Sequence, residues 1–305
     1  MRVAVLDVGS NSAHLQVVDD SLDPVFRLKA PTLLAESVTP DGALTPDAVE
    51  RLVAAVARTV AASREQAVAE LIPLATATIR DATNNAEIRR RVRDACGVEL
   101  RSMSGEDEAR VTFLAVRRYL GPAAGRLLLL DIGGMSMEVA AGAGDRPDVA
   151  VSLPIGAGRL TRQFLPHHPA TRDAVDAVRQ RVRDALRDVP RLAGPDLVVG
   201  TSKTFKQLAR VAGDGRRLTR RKLRTWVPRL ARMTPKERAQ LPGVAASRAR
   251  QLLAGAVIAE AAMDVLGVPA LKVCPWALRE GLLLRRLTEL SAPHQRSRQD
   301  GGWPG

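Results

Sequence analysis

The chain has little of several residue types, and each shortage excludes something. It has two cysteines in 305 residues, Cys96 and Cys274, with neither metal-ligand spacing nor a disulfide framework. They read as buried thiols. No apolar run reaches the roughly 20 residues that a bilayer-spanning helix needs, so no membrane partner is expected. The opening MRVAVLDVGSNS places an acid and polar residues where a signal peptide would carry its apolar core, so a mature, cytoplasmic N-terminus is expected. Aromatic residues make up 3% of the chain, and Trp226 alone interleaves the basic stretch 216–232. Nucleic acid therefore ranks last among partners, since stacking platforms for bases are missing.

What is there describes a folded protein. Hydrophobic content of 46% and charged content of 26% are those of a globular chain, with length for one large or two ordinary domains. The formal net charge is +13, carried by 40 arginines and only six lysines. An Ala-rich, Arg-rich composition from GC-rich coding accounts for the choice of arginine over lysine but not for the surplus of positive charge. A surplus of this size favours capture of a polyanion, and nucleic acid, anionic lipid and polyphosphate all satisfy it. Arg216, Arg217, Arg220, Arg221, Lys222, Arg224, Arg229 and Arg232 read equally as a solvated helix face or as a track for a long polyanion.

Hydrophobic periodicity predicts an alternation of strands and helices. Val3 to Val8 is an apolar strand running into Gly-Ser-Asn-Ser, and His14 to Val18 resumes as a strand, which makes residues 1–19 a hairpin. Thr45 to Ala69 is helical, with Thr45 as N-cap and Pro46 at the first position. Strand, helix, short strand (Val98 to Arg101) and helix follow to Tyr119. The plan then restarts. Arg126 to Ile132 is an apolar strand, Gly133-Gly134 turns, and Ser136 to Ala140 is a second strand. Matched halves of this kind build two similar domains around one cleft. We expect an N-terminal domain over 1–124, a second over 125–277, a helix over 278–290 packing back on the first, and a disordered tail over 291–305.

The turns carry the chemistry. In VLDVGSNSAHL a strand ends in Asp7, Gly9 allows close backbone approach, and Ser10, Asn11 and Ser12 supply donors, so the turn can form a nest for phosphate oxygens. The same letters also spell a polar hairpin turn. In LLLLDIGGMSMEV, Asp131, Gly133, Gly134 and Ser136 repeat the logic and Glu138 follows. In VVGTSKTFKQL, Thr201 and Ser202 stand at a strand-to-helix junction whose free N–H groups suit an anion, with Lys203 beside them. Thr or Ser at such a junction is more often a simple cap.

Taken in order, DVGSNS (7–12), ATATIRDATN (75–84), SGEDEARVTFLAV (104–116), DIGGMSME (131–138), SLPIGAGRLT (152–161) and GTSKTF (200–205) resemble the motifs of the exopolyphosphatase/guanosine-pentaphosphatase phosphatases. The short length and the ending CPWALREGL look most like the actinobacterial exopolyphosphatases of that family, without room for the helical C-terminal extension of longer members. The resemblance implies an α/β fold of two actin-like (ribonuclease H-like) domains, with mixed sheets flanked by helices and the active site in the interdomain cleft. It implies Glu108 as the residue that activates water, with Glu106 as fallback, and Glu138 as a second acid. Arg80 and Asn84 match positions that contact phosphate.

Without the resemblance, SGEDEAR reads first as an acidic first helical turn, which the helix dipole favours. Arg80 would be one surface arginine among 40. Carboxylates facing one phosphate site require a divalent ion, so Mg²⁺ or Mn²⁺ is expected on Asp7, Asp131 and Glu138. The expected partner is inorganic polyphosphate or, as alternative, guanosine penta- or tetraphosphate, and the family resemblance also implies a homodimer. A sensor that binds such a ligand without hydrolysing it is the remaining reading. One departure stands out: Met135 and Met137 occupy positions where the family has glycine and threonine. A side chain at 135 is expected to change the local φ or crowd the phosphate.

Overall fold

The computed structural model of the chain describes residues 1–190 and 194–291. Apart from Ser291, the last residue of its final helix, the tail expected over 291–305 lies outside the described residues. No described helix is long and apolar enough to cross a membrane.

The first sheet is built from β1 (Val3–Val8), β2 (Ser12–Val18), β3 (Phe26–Pro31) and, after helix α1 (Pro46–Glu65), β4 (Glu70–Ala75), in the order β3-β2-β1-β4. β1 and β2 form the expected hairpin, and β1 lies parallel to β4. The sequence reading passed over β3, although its FRLKAP alternates apolar and polar residues with the period of a half-buried strand. Helices α2 (Ala77–Arg80), α3 (Asn85–Cys96) and α4 (Gly105–Leu120) follow. The strand expected at Val98 to Arg101 is reduced to one bridge between Leu74 and Arg101.

The second sheet repeats the plan. It comprises β5 (Leu127–Ile132), β6 (Met137–Gly142), β7 (Val149–Leu153), β8 (Leu197–Thr201), β9 (Arg217–Thr219) and β10 (Ala270–Val273), in the order β7-β6-β5-β8-β10-β9. Between these strands run α5 (Ala157–Phe164), α6 (Arg172–Leu186), α7 (Ser202–Ala212), α8 (Arg220–Arg232), α9 (Pro235–Ala239) and α10 (Leu252–Val265), and the chain is described as far as α11 (Leu278–Ser291).

Side-chain alternation decides what each sheet faces. Ala4, Leu6 and Val8 of β1 pack with Leu52 and Val56 of α1 and Ile88 and Val92 of α3. Val3 and Val5, on the opposite face, pack with Val111 of α4 and Leu282 and Leu283 of α11. In the second sheet Leu128, Leu130 and Ile132 of β5 join the large core with Phe205 of α7 and the apolar α10. Leu127 and Leu129 face the other way, onto Ala109, Phe113 and Val116 of α4. So α4 lies between the two sheets and touches both. Phe113 is fully buried there, a contribution of roughly 1.5–3 kcal/mol. Period two then carries the rows Val3, Val5, Asp7 and Leu127, Leu129, Asp131 onward, and both aspartates point toward the N-terminal turn of α4.

The basic stretch 216–232 is β9 and α8. Leu223, Val227 and Leu230 of α8 are buried, Arg220 and Arg224 each reach Asp264 at 2.8 Å, and Arg224 also reaches Glu260 at 3.4 Å. Part of its charge is therefore spent on α10. Cys96 and Cys274 are buried free thiols, and burial pushes Cys274 to about 11.

Candidate functional site

Both hairpin turns close in the same way. Gly9 N–H donates to Ser12 O at 3.1 Å, and Gly133 N–H donates to Ser136 O at 2.9 Å. The two turns meet tip to tip. A Cβ on Gly134 would lie 2.1 Å from Ser10 Oγ, so glycine is required there by close approach. Gly9 differs: a Cβ there would find nothing nearer than 3.7 Å and would point between Asp7 Oδ1 and Thr76 Oγ1. A side chain there would meet ordinary contacts only, so no clash within the protein demands glycine at this position. Asn11 is locked beneath it, donating to Ser10 Oγ at 2.9 Å and accepting from Gln251 Nε2 at 3.4 Å.

Strand pairing sets a polar row across each sheet at this level. In the first, Asp7 pairs with His14, and His14 with Lys29. In the second, Asp131 pairs with Glu138 and Thr201, and Glu138 with Ser152. Thr201 Oγ1 donates to Asp131 Oδ2 at 2.5 Å, and Ser152 Oγ donates to Glu138 Oε1 at 2.9 Å. Ser202 is held with φ 74°, and its hydroxyl donates to Ile132 O at 2.9 Å. Thr201 and Ser202 thus brace the second hairpin with their side chains, and what α7 turns toward the cleft is its N-terminus.

Above the rows sits α4. Ser104 caps it, accepting from Asp107 N–H at 3.0 Å. The helix separates its two candidate acids: Glu106 is exposed and reaches Arg110 at 3.1 Å, while Glu108 is buried and accepts from Arg80 Nη1 at 2.6 Å. Arg80 is fixed further by Asp81 Oδ1 at 2.8 Å and Met103 O at 3.1 Å. Burial, then Glu138, raises Glu108 well above the ordinary carboxylate range, with Asp7 and Asp131 adding to the rise and Arg80 opposing it. Burial and the Asp131 charge lift Glu138 to about 7, against its hydrogen bonds from Ser136 and Ser152. Asp7 and Asp131 are raised too, chiefly by burial. Asp7 acts on Asp131, Asp131 on Glu138, and all three on Glu108, so the four carboxyl groups form one electrostatic unit.

The opposite side of the cleft is cationic. Arg248, in the turn before α10, is held below its ordinary value by burial and supported by Asp131 and Asp7. Lys29 is lowered by burial and then Arg248, and Lys203 by burial and then Lys29. Cations from both halves therefore converge on one mouth.

The structure brings Asp7, Gly9, Ser10, Asn11, Ser12, Arg80, Glu108, Asp131, Gly133, Gly134, Ser136, Glu138, Thr201, Ser202 and Lys203 around one cleft. It does not bring Asn84 there. The Asn84 amide is spent on both backbone groups of Leu44, at 3.0 Å each, and shapes the loop over α1. Met135 also departs from expectation. Its φ is not among the positive values, and its Sδ lies 3.8 Å from Arg162 Nη1, turned away from the carboxylates. Met137 is fully buried in the large core of the second sheet.

The sequence reading passed over Lys29, Arg248, Ser152 and Gln251. Scarcity marks Lys29 among six lysines, and Ser152 opens a motif already quoted, but nothing distinguishes Arg248 among 40 arginines.

Among the described residues no three acidic, histidine or cysteine side chains gather around one point as a metal cage. Asp7, Asp131 and Glu138 therefore do not form the closed three-ligand set expected from the sequence. The donor chemistry still suits Mg²⁺, which keeps several waters and binds through one or two carboxylates together with substrate phosphates.

Residues 15–290 match the Ppx/GppA phosphatase family. Exopolyphosphatase 1 of Mycobacterium tuberculosis is 43% identical, the alignment spanning 100% of this chain and 96% of that protein. Exopolyphosphatase 1 of Mycobacterium leprae is 43% identical over 94% of this chain and 90% of its own length. The crystal structure of the Aquifex aeolicus Ppx/GppA family member superposes with TM-score 0.79 at 27% identity, covering 96% of this chain and 99% of that one. A Cytophaga hutchinsonii exopolyphosphatase shares the fold, with TM-score 0.85 at 22% identity and coverage of 95% and 98%. Six motifs in order, two matched hairpins about one cleft and these likenesses agree: the chain belongs to the Ppx/GppA phosphatase family.

Proposed function

We propose that the protein is an exopolyphosphatase that removes the terminal phosphate of linear polyphosphate in the presence of Mg²⁺ or Mn²⁺. The observation that carries this reading is Glu108, buried between the two aspartate rows, with a raised carboxyl and a 2.6 Å contact to Arg80. A carboxylate of raised basicity accepts a proton from water more readily. In this reading water attacks the terminal phosphorus, its proton passes to Glu108, and the bond to the bridging oxygen breaks. Arg80 then offsets charge on the phosphoryl oxygens. The turns at Gly9-Ser10-Asn11 and Gly133-Gly134 hold the terminal group, and the N-terminus of α7 faces it. Asp7 and Asp131 are the carboxylates that would hold the divalent ion, which supplies charge neutralisation when bound. Glu138 orients water beside them.

The cationic mouth favours polyphosphate over guanosine pentaphosphate, because Lys29 and Lys203 add positive charge to that of Arg248 beside the aspartates, and a chain of phosphates carries more negative charge to meet it. The name of the mycobacterial relatives supports the same choice. The test is phosphate release from long-chain polyphosphate and from guanosine pentaphosphate under identical Mg²⁺. Faster turnover of polyphosphate is expected. Release from the nucleotide alone would transfer the proposal to the nucleotide, and release from neither would leave the sensor.

A further inference from the structure

A cavity of about 390 Å³ lies beside Asp81, and none of Asp7, Glu108, Asp131 or Glu138 lines it. Its walls come from both halves: Val38, Thr39, Thr78 and Asp81 from the first, and Met135, Arg159 and Arg162 from the second. Its volume is at the small end of the range for ligand sites, and it occupies a seam between lobes, where such sites concentrate.

Charge decides what it suits. Arg159 and Arg162 stand one turn apart on α5 and face the same space. Arg159 Nε donates to Met135 O at 3.0 Å, and its Nη2 lies 3.9 Å from Asp81 Oδ2, at the edge of an ion pair. Arg162 donates to Ala35 O of the first half and touches Met135 Sδ, and no carboxylate among the described residues pairs with it. Burial and then the Arg159 charge both act against the Arg162 cation. Two guanidiniums with less than one carboxylate between them in a half-buried space are stabilised by an oxyanion. Asp81 is the opposing charge, and it is already engaged by Arg80 Nε at 2.8 Å.

We propose that this cavity is a second anion site, separate from the catalytic cleft, that takes a phosphate group on Arg159 and Arg162. The site shares Asp81 with Arg80 and shares Met135 with the Gly133-Gly134 turn. A bound phosphate therefore bridges the halves and touches both supports of the terminal-phosphate site. The ligand is free orthophosphate, the product of the proposed reaction, or the phosphate of a small phosphomonoester.

The test reads equilibrium binding, so it stands whether or not the cleft hydrolyses polyphosphate. Calorimetric titrations of the full chain use inorganic phosphate and, separately, glycerol 3-phosphate, with no divalent ion present, and the difference made by Arg159→Gln separates cavity binding from binding at the hairpin turns. Binding of either probe is expected to weaken at least tenfold in Arg159→Gln and to strengthen several-fold in Asp81→Asn. The double variant Asp81→Asn/Arg159→Gln should lose that gain, which separates the cavity from any effect through Arg80. Because a disrupted fold cannot tighten binding, the opposite signs guard against misfolding. Whichever probe responds identifies the source of the phosphate. No binding of either probe, or affinities unchanged by Arg159→Gln, would overturn the proposal.

Discussion

Asp7 faces His14 across the first hairpin, and Asp131 faces Glu138 across the second. The backbone is the same, down to a glycine N–H closing each turn on a serine carbonyl. The neighbours differ in sign. In the first half the row runs on to Lys29, and in the second it is bounded by the hydroxyls of Ser152 and Thr201. The same hairpin plan thus carries a row that ends in a lysine in the first half and an acidic, hydroxyl-bounded row in the second. α4 makes the difference useful, because it lies against both sheets and sets Glu108 where both rows point.

Exchanging the distinguishing residues breaks this comparison. Glu138→His should have the largest effect, lowering kcat for phosphate release about 100-fold or more while leaving polyphosphate binding within a few-fold. His14→Glu should act on the other parameter. A carboxylate beside Asp7 is expected to raise KM for polyphosphate about tenfold, with a smaller change in kcat. Equal effects of the two exchanges on kcat and KM would mean that the halves are not specialised.

Smaller effects sharpen it. Thr201→Val removes the hydroxyl that braces Asp131 and should cost roughly 1.5–3 kcal/mol in denaturant unfolding. pH gives a further handle. Glu138 ionises at about 7 in the fold against 4.5 for an ordinary glutamate, so its charged form is disfavoured in the folded state. Its stabilising contribution is whole below the unfolded pKa and is lost as pH rises through the folded one. Without metal the protein should melt a few degrees lower near pH 8 than near pH 5.5. Added Mg²⁺ should raise the melting temperature more at the higher pH, because binding opposes the same charge.

Much of the fold was legible because its signals are periodic. The two apolar strands with their Asp-Gly-Ser turns, the Thr45-Pro46 helix start and the acidic first turn of α4 each follow local rules that the structure obeys. β3 was passed over although Phe26, Leu28 and Ala30 alternate with Arg27 and Lys29 as a half-buried strand does. In the site, the turns and Glu108 could be named from motifs, but their relation could not. Lys29 reaches the cleft only through its pairing with His14, and Arg248 through a turn far along the chain. Asn84 misled for a similar reason: its neighbours in sequence suit a ligand contact, while its amide closes on Leu44. Met135 raised an expectation of strain that rotation of its side chain toward Arg162 removes.

The central claim is that a carboxylate lodged between the two rows turns a phosphate-holding cleft into a hydrolytic one. Phosphate release from long-chain polyphosphate in Mg²⁺, measured for the native protein and for Glu108→Gln alongside polyphosphate affinity, tests it most directly. The account predicts release by the native protein, a loss of about 100-fold or more in the variant, and affinities within a few-fold of each other. Equal turnover by both forms, or none by the native protein, would contradict it.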